Sequence, residues 1–248
     1  MSRAGRARVA LVTGGAVRLG RAIVEELASR GWHVAFTYRH SRQAADDLAT
    51  GLARRGLGVE AVAAELADPS TWGPLVAGVL ERHGRLDALV HNAALFPRTP
   101  FSELDLATWA ALLRVNLEAP VFLTQAAAPA LRAARGAVVT LLDIHGRFPV
   151  RSFLPYCISK AALEGATRAL AVELAPEVRV NGIAPGIALF PDDTEQAMRQ
   201  RQLARTLLGR EGGATEIARA AAFLLEDAET ITGHVLTIDG GRTVHLKE

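Results

Sequence analysis

Apolar residues along this chain gather into short solid runs separated by longer periodic ones. The solid runs are Val9 to Thr13, Val34 to Tyr38, Val59 to Glu65, Leu86 to His91, Ala137 to Asp143, Val178 to Ala184 and Val235 to Ile238. Between them, Arg21 to Arg30, Arg42 to Arg55, Ser70 to His83, Leu106 to Arg132, Pro155 to Leu174 and Thr215 to Leu225 carry apolar positions at helical spacing, as Ile23, Val24 and Leu27 do. The long stretch over 106–132 is expected to break near Pro120. Strands that are apolar throughout are buried on both faces, and strands alternating with helices pair in parallel. The pattern therefore predicts an α/β protein, a doubly wound (Rossmann) parallel sheet with helices on both faces. No linker-like segment or internal repeat divides it, so residues 1–248 are read as a single domain. The polar, mostly helical excursion from Asp192 to Leu208, within 185–210, is the expected substrate lid.

Composition narrows the functional classes. The 248 residues are 50% hydrophobic and 22% charged, with a formal charge of only +2 and arginines scattered rather than clustered. Nothing there calls for a nucleic-acid partner. The single Cys157 excludes an internal disulfide and a multi-cysteine metal site, and reads as a small packed apolar residue. The basic start MSRAGRAR is followed by too short an apolar run for a signal peptide or membrane span, so a cytoplasmic protein without membrane or metal is expected.

Three stretches carry candidate chemistry. Thr13-Gly14-Gly15-Ala16-Val17-Arg18-Leu19-Gly20 links the first strand to the first helix, where backbone N–H groups and a helix N-terminus suit a pyrophosphate. Arg18 adds a planar cation at its mouth. The second strand ends in Tyr38-Arg39-His40-Ser41-Arg42, with no acid before Asp46; a basic end suits a 2′-phosphate and favours NADP over NAD. Tyr156 and Lys160 stand four residues apart on one helix face. An ammonium there is expected to lower the phenol's pKa and make it a general acid for reducing a C=O or C=N bond. Each stretch alone is also compatible with a tight turn that binds nothing, a solvated basic loop, or a chance pair on a helix.

Together with His91-Asn92-Ala93-Ala94, Asn116, Val180 to Gly186, and Thr232-Gly233 with Asp239-Gly240-Gly241, these motifs make the sequence resemble the short-chain dehydrogenase/reductase family over nearly its whole length. That resemblance implies a seven-stranded sheet, a nicotinamide cofactor and a homotetramer. It implies that Tyr156 is the proton donor, that Lys160 lowers its pKa and holds the nicotinamide ribose, and that Asn116 supports a proton-relay water. Cofactor contacts fall by the same resemblance on Gly14, Arg18, Leu19, Gly20, Tyr38, Arg39, His40, Ser41, Leu66, Asn92, Ala93, Ala94, Tyr156, Lys160, Pro185, Gly186 and Ile187.

The departures from the family are informative. Glu65 replaces the usual Asp near the adenine, and His91 the first Asn of the Asn-Asn-Ala motif, where a histidine reads as a packed residue. Asp143 stands where the family carries a serine. An ionised carboxylate only accepts hydrogen bonds and repels a developing oxyanion, so plain ketone reduction fits poorly. The pteridine reductase branch, with the similar dihydromonapterin reductases, shares this acid, and resembles the chain also at Arg18, Phe96, Tyr38 to Ser41, Leu163 to Arg168 and Glu173 to Pro176. The resemblance implies an NADPH-dependent reductase of a pterin-type small molecule, with Arg18, Phe96, Asp143, Tyr156 and Leu189 around the substrate. A flat ring would stack between Phe96 and the nicotinamide. Two alternatives stay open: a 3-oxoacyl thioester or generic ketone reductase of the same family, and a protein that binds NADPH without catalysis.

Overall fold

The seven apolar runs form one sheet, in the order β3-β2-β1-β4-β5-β6-β7, with every pairing parallel. In chain order the elements are β1 (Val9–Val12), α1 (Arg18–Ser29), β2 (His33–Tyr38), α2 (Arg42–Arg54), β3 (Val59–Ala63), α3 (Trp72–His83) and β4 (Ala88–His91). Then follow α4 (Leu106–Leu113), α5 (Ala119–Ala134), β5 (Ala137–Leu141), α6 (Leu154–Leu174), β6 (Arg179–Pro185), α7 (Gln196–Leu203), α8 (Ala214–Glu226) and β7 (Val235–Ile238). This computed structural model describes residues 7–190 and 194–244. Most of the basic N-terminal segment, the start of the polar excursion and the last residues of the tail lie outside them.

Strand residues alternate between two cores. Ala10, Val12, Val34, Phe36, Val90 and Val139 face one layer, built from α1, α2 and α8. Val9, Leu11, Ala35, Leu89, Val138 and Val180 face the other, built from α3, α5 and α6. Ile23, Val24 and Leu27 of α1 are wholly buried, each worth roughly 1.5–3 kcal/mol. Burial on both faces is why the central strands need no polar alternation. The edge strand β3 is only partly buried and stops at Ala63, short of the expected Glu65.

β1 sits between β2 and β4, and the helix that leads to β2 (α1) and the one that leads to β4 (α3) lie on opposite faces, which opens a crevice at the carboxyl ends of the strands. The long apolar stretch does not break at Pro120: the backbone stays right-handed helical from α4 through Glu118 into α5, with Pro120 in the first turn of α5. It loosens earlier into a π-helical turn at Arg114–Glu118, which contains Asn116. The described residues of the polar excursion bond to the chain after β7. Leu208 N–H donates to the Gly240 carbonyl at 3.0 Å, and Arg242 donates to the Gln202 carbonyl and side chain at 3.2 and 2.8 Å.

Candidate active site

The turn after β1 is knitted to the strand beside it. Thr13 Oγ1 accepts the N–H groups of Asn92 and Ala93 at 3.0 and 3.1 Å, and Asn92 Nδ2 donates to the carbonyls of Thr13 and Gly14 at 3.0 and 2.9 Å. A Cβ on Gly20 would meet the Gly14 oxygen at 2.1 Å, so only glycine lets α1 begin against the turn. Arg18 holds φ at +54°, a left-handed conformation that costs a non-glycine residue roughly 1–2 kcal/mol. In return its Nη2 donates across the crevice to the Leu189 carbonyl at 3.2 Å.

These residues open onto a cleft of about 440 Å³. Gly14, Arg18, Leu19 and Gly20 line one end, Tyr38, Arg39 and Leu66 a side, and Asn92, Ala93, Ala94, Phe96 and Tyr156 the rest. Arg39 forms an ion pair with Glu65 at 2.6 Å, so the departure at 65 neutralises part of the basic end of β2. His40 and Ser41 do not line the cleft; His40 is exposed and Ser41 precedes the first turn of α2. Pro185, Gly186 and Ile187 also stand outside it, at the end of β6, where a Cβ on Gly186 would meet the Asp239 Cβ at 2.7 Å.

β5 delivers Asp143 and the start of α6 delivers Tyr156. The phenol donates to Asp143 Oδ2 at 2.7 Å, while Oδ1 accepts the His145 N–H at 2.8 Å and caps the turn at Ile144–Gly146. Tyr156 is buried, and burial, then the Asp143 charge and hydrogen bond, push its pKa above the ordinary phenol value. The expectation that Lys160 lowers it is therefore corrected. Lys160 Nζ donates to the Leu141 carbonyl at 2.6 Å and stands 5.8 Å from the Tyr156 ring centroid, outside the cleft lining. Burial pulls its own pKa to about 8, against the opposing pull of Asp143. Proximity on a helix face did not decide the phenol; burial did, with the Asp143 carboxylate adding to it.

A profile for the family described as enoyl-(acyl carrier protein) reductase matches residues 15–243. Human dehydrogenase/reductase SDR family member 4 is 35% identical, over 96% of this chain and 88% of its own length. The Staphylococcus aureus 3-oxoacyl-[acyl-carrier-protein] reductase FabG is 31% identical, over 94% and 96%. The crystal structure of FolM alternative dihydrofolate reductase 1 from Brucella suis, in complex with NADP, superposes with a TM-score of 0.90 at 34% identity, covering 98% of this chain and 97% of that one.

The chain belongs to the short-chain dehydrogenase/reductase family. As in other members of that family, its cleft suits a nicotinamide dinucleotide. The glycine turn leaves backbone exposed where a pyrophosphate would meet the α1 N-terminus, and Tyr156 stands at the other end.

Within this short-chain reductase, Asn116 is a positioning residue as its side chain now stands. Oδ1 accepts the Leu95 N–H at 2.8 Å, and Nδ2 donates to the Leu95 carbonyl at 3.0 Å and to Ser159 Oγ at 3.1 Å. Those bonds tie the 92–96 loop to α6 and leave the side chain no free donor for the expected relay water. Phe96 is half exposed, stacks on Phe153 at 4.5 Å and meets Tyr156 edge-on at 4.4 Å. Phe153 was not anticipated, although it lies one helical turn before Tyr156. Val17, Thr37, Ala64, Leu95 and Val115 also line the cleft unanticipated; four are apolar and carry no chemical signature, and the Thr37 hydroxyl accepts the Gly14 N–H at 3.0 Å. His91 is a packed residue. Thr124 spends its hydroxyl proton on the Pro120 carbonyl and accepts from His91 Nε2 at 2.8 Å, and burial lowers the imidazole to about 3.

Proposed function

We propose that this protein is an NADPH-dependent reductase of a pterin-type substrate, a dihydropterin, dihydromonapterin or dihydrofolate, working as a homotetramer. The observation that carries the reading is the 2.7 Å hydrogen bond from Tyr156 to Asp143. A carboxylate beside the proton donor accepts hydrogen bonds and disfavours an oxyanion. A heteroaromatic ring offers what such a pair needs, N–H groups for Asp143 and a basic ring nitrogen for the Tyr156 proton. The raised pKa keeps that proton on the phenol at neutral pH until substrate receives it. Bound NADPH supplies the hydride to the ring C=N carbon. Phe96 and Phe153 give the flat ring an aromatic wall, and Arg18, fixed to the Leu189 carbonyl, offers a cation to an oxo group. NADP(H) is the cofactor, with Arg39 the residue nearest to hand for a 2′-phosphate.

The test compares substrates and one variant. Purified protein with NADPH is offered a dihydropterin, dihydrofolate and an acetoacetyl thioester, and loss of reduced-nicotinamide absorbance is followed. Pterin turnover is expected, and Asp143→Ser should lower it roughly a hundredfold. Full pterin activity in that variant would overturn the role of Asp143. The likeness to FabG favours a second reading, reduction of a 3-oxoacyl thioester. Fast thioester turnover with none on pterins would establish it.

A further inference from the structure

Beyond Asp143 lies a second cavity, of about 380 Å³. Ile144 and His145, in the turn that Asp143 caps, form one side of it, and Phe148 and Val150 extend that side with apolar surface. Phe148 is half exposed there. Arg205, just after α7, and Arg242 with Thr243, after β7, complete the lining. Arg242 is aimed by its two bonds to Gln202. Arg205 makes no side-chain hydrogen bond or ion pair among the described residues. The two nearby acids attract Arg242 without forming an ion pair with it among the described residues. Asp239 gives its carboxylate to Gly241 N–H and to Thr243 N–H and hydroxyl, at 2.9, 2.8 and 2.7 Å, and Asp143 gives its own to Tyr156 and His145. His145 commits Nδ1 to the Phe148 carbonyl at 3.1 Å, which holds the apolar side in place. Burial, then repulsion from Arg205, pull Arg242 below the ordinary guanidinium value, against the opposing attraction of Asp143 and Asp239.

We propose that this cavity is a subsite for an aromatic, carboxylate-bearing tail on the ring that Tyr156 protonates, so that a folate-type dihydropterin is preferred over an unconjugated one. An aryl group lies against Phe148, and a carboxylate meets planar guanidinium groups that hold it in charge-assisted, bidentate fashion. Asp143 joins the two halves, one oxygen on the proton donor and the other on the turn that walls the tail. This inference rests on the pterin reading of the catalytic end.

The experiment is steady-state kinetics of the full chain with NADPH, on dihydrofolate and on 6-hydroxymethyl-dihydropterin, for the natural protein, Arg205→Gln, Arg242→Gln and Arg242→Lys. The ratio of kcat/KM between the two substrates is the readout. Each Gln variant should lower the preference for dihydrofolate at least about tenfold, through KM. Arg242→Lys should restore part of it, which a merely structural loss at Gln202 would not. A ratio unchanged in both Gln variants, with both substrates turned over, overturns the subsite alone. Turnover of neither substrate by the natural protein overturns the pterin reading and the subsite together.

Discussion

Asp143 works through its two oxygens separately. Oδ1 closes the turn after β5, a structural duty that any capping acid or serine could perform. Oδ2 holds the phenol and sets the electrostatics of the site: it helps raise Tyr156 and keeps Lys160 from falling further. The two shifts make a pH prediction. Lys160 is charged below about 8 and neutral above it, because burial lowers a base. Tyr156 stays protonated throughout. Reductive kcat/KM should therefore fall as pH rises through about 8, with Lys160 and not the phenol losing the proton. In Asp143→Asn the supporting charge is gone and the limb should move to lower pH. A profile that stays flat well above that value, or a limb that Asp143→Asn moves upward, would show that Lys160 is not the group observed.

At the scale of elements, what could be read from the chain was whatever depends on local pattern. Apolar runs marked every strand to within about two residues, and the turn, β2 end and 92–96 loop were found because glycine, arginine and asparagine there carry chemistry. What could not be read depends on distant partners. Pro120 looked like the helix break because its ring disfavours a mid-helix position, yet the helix runs on and only loosens at 114–118, where Asn116 reaches Leu95 and Ser159. The Tyr-x-x-x-Lys spacing was legible, but not that Lys160 would turn to the Leu141 carbonyl. The π turn yields its own prediction. Asn116→Ala leaves the Leu95 N–H and carbonyl without their partner, which should cost about 2 kcal/mol and lower Tm by about 4–8 °C. Because Leu95 lines the cleft, KM for NADPH should rise as well. Loss of stability without a change in that KM would confine Asn116 to folding.

The whole molecule leaves apolar surface that its own fold does not cover. The stretch Leu106–Ala134 is long and apolar enough to cross a membrane by length and composition, yet one side of α5 is spent on α3 and α6 in the core. At the margin of that packing Phe122 stacks on Trp72 of α3 at 5.6 Å yet stays half exposed, and neighbouring α6 shows Ile158 and, 78% exposed, Val172. Large apolar residues repeated on two packed helices call for a covering surface. In the proposed tetramer a second copy of the same helices would supply one, with the self-complementary symmetry that homo-oligomers use. Contacts of that kind would be invisible in the apolar pattern, because an interface helix and a core helix have the same periodicity. Light scattering coupled to size exclusion should give four times the 26.4 kDa chain mass. Val172→Glu, which removes no described core contact, should shift the species to smaller oligomers while circular dichroism stays that of the folded chain. A natural protein that runs as a monomer at micromolar concentration would assign these exposed faces to something other than self-association.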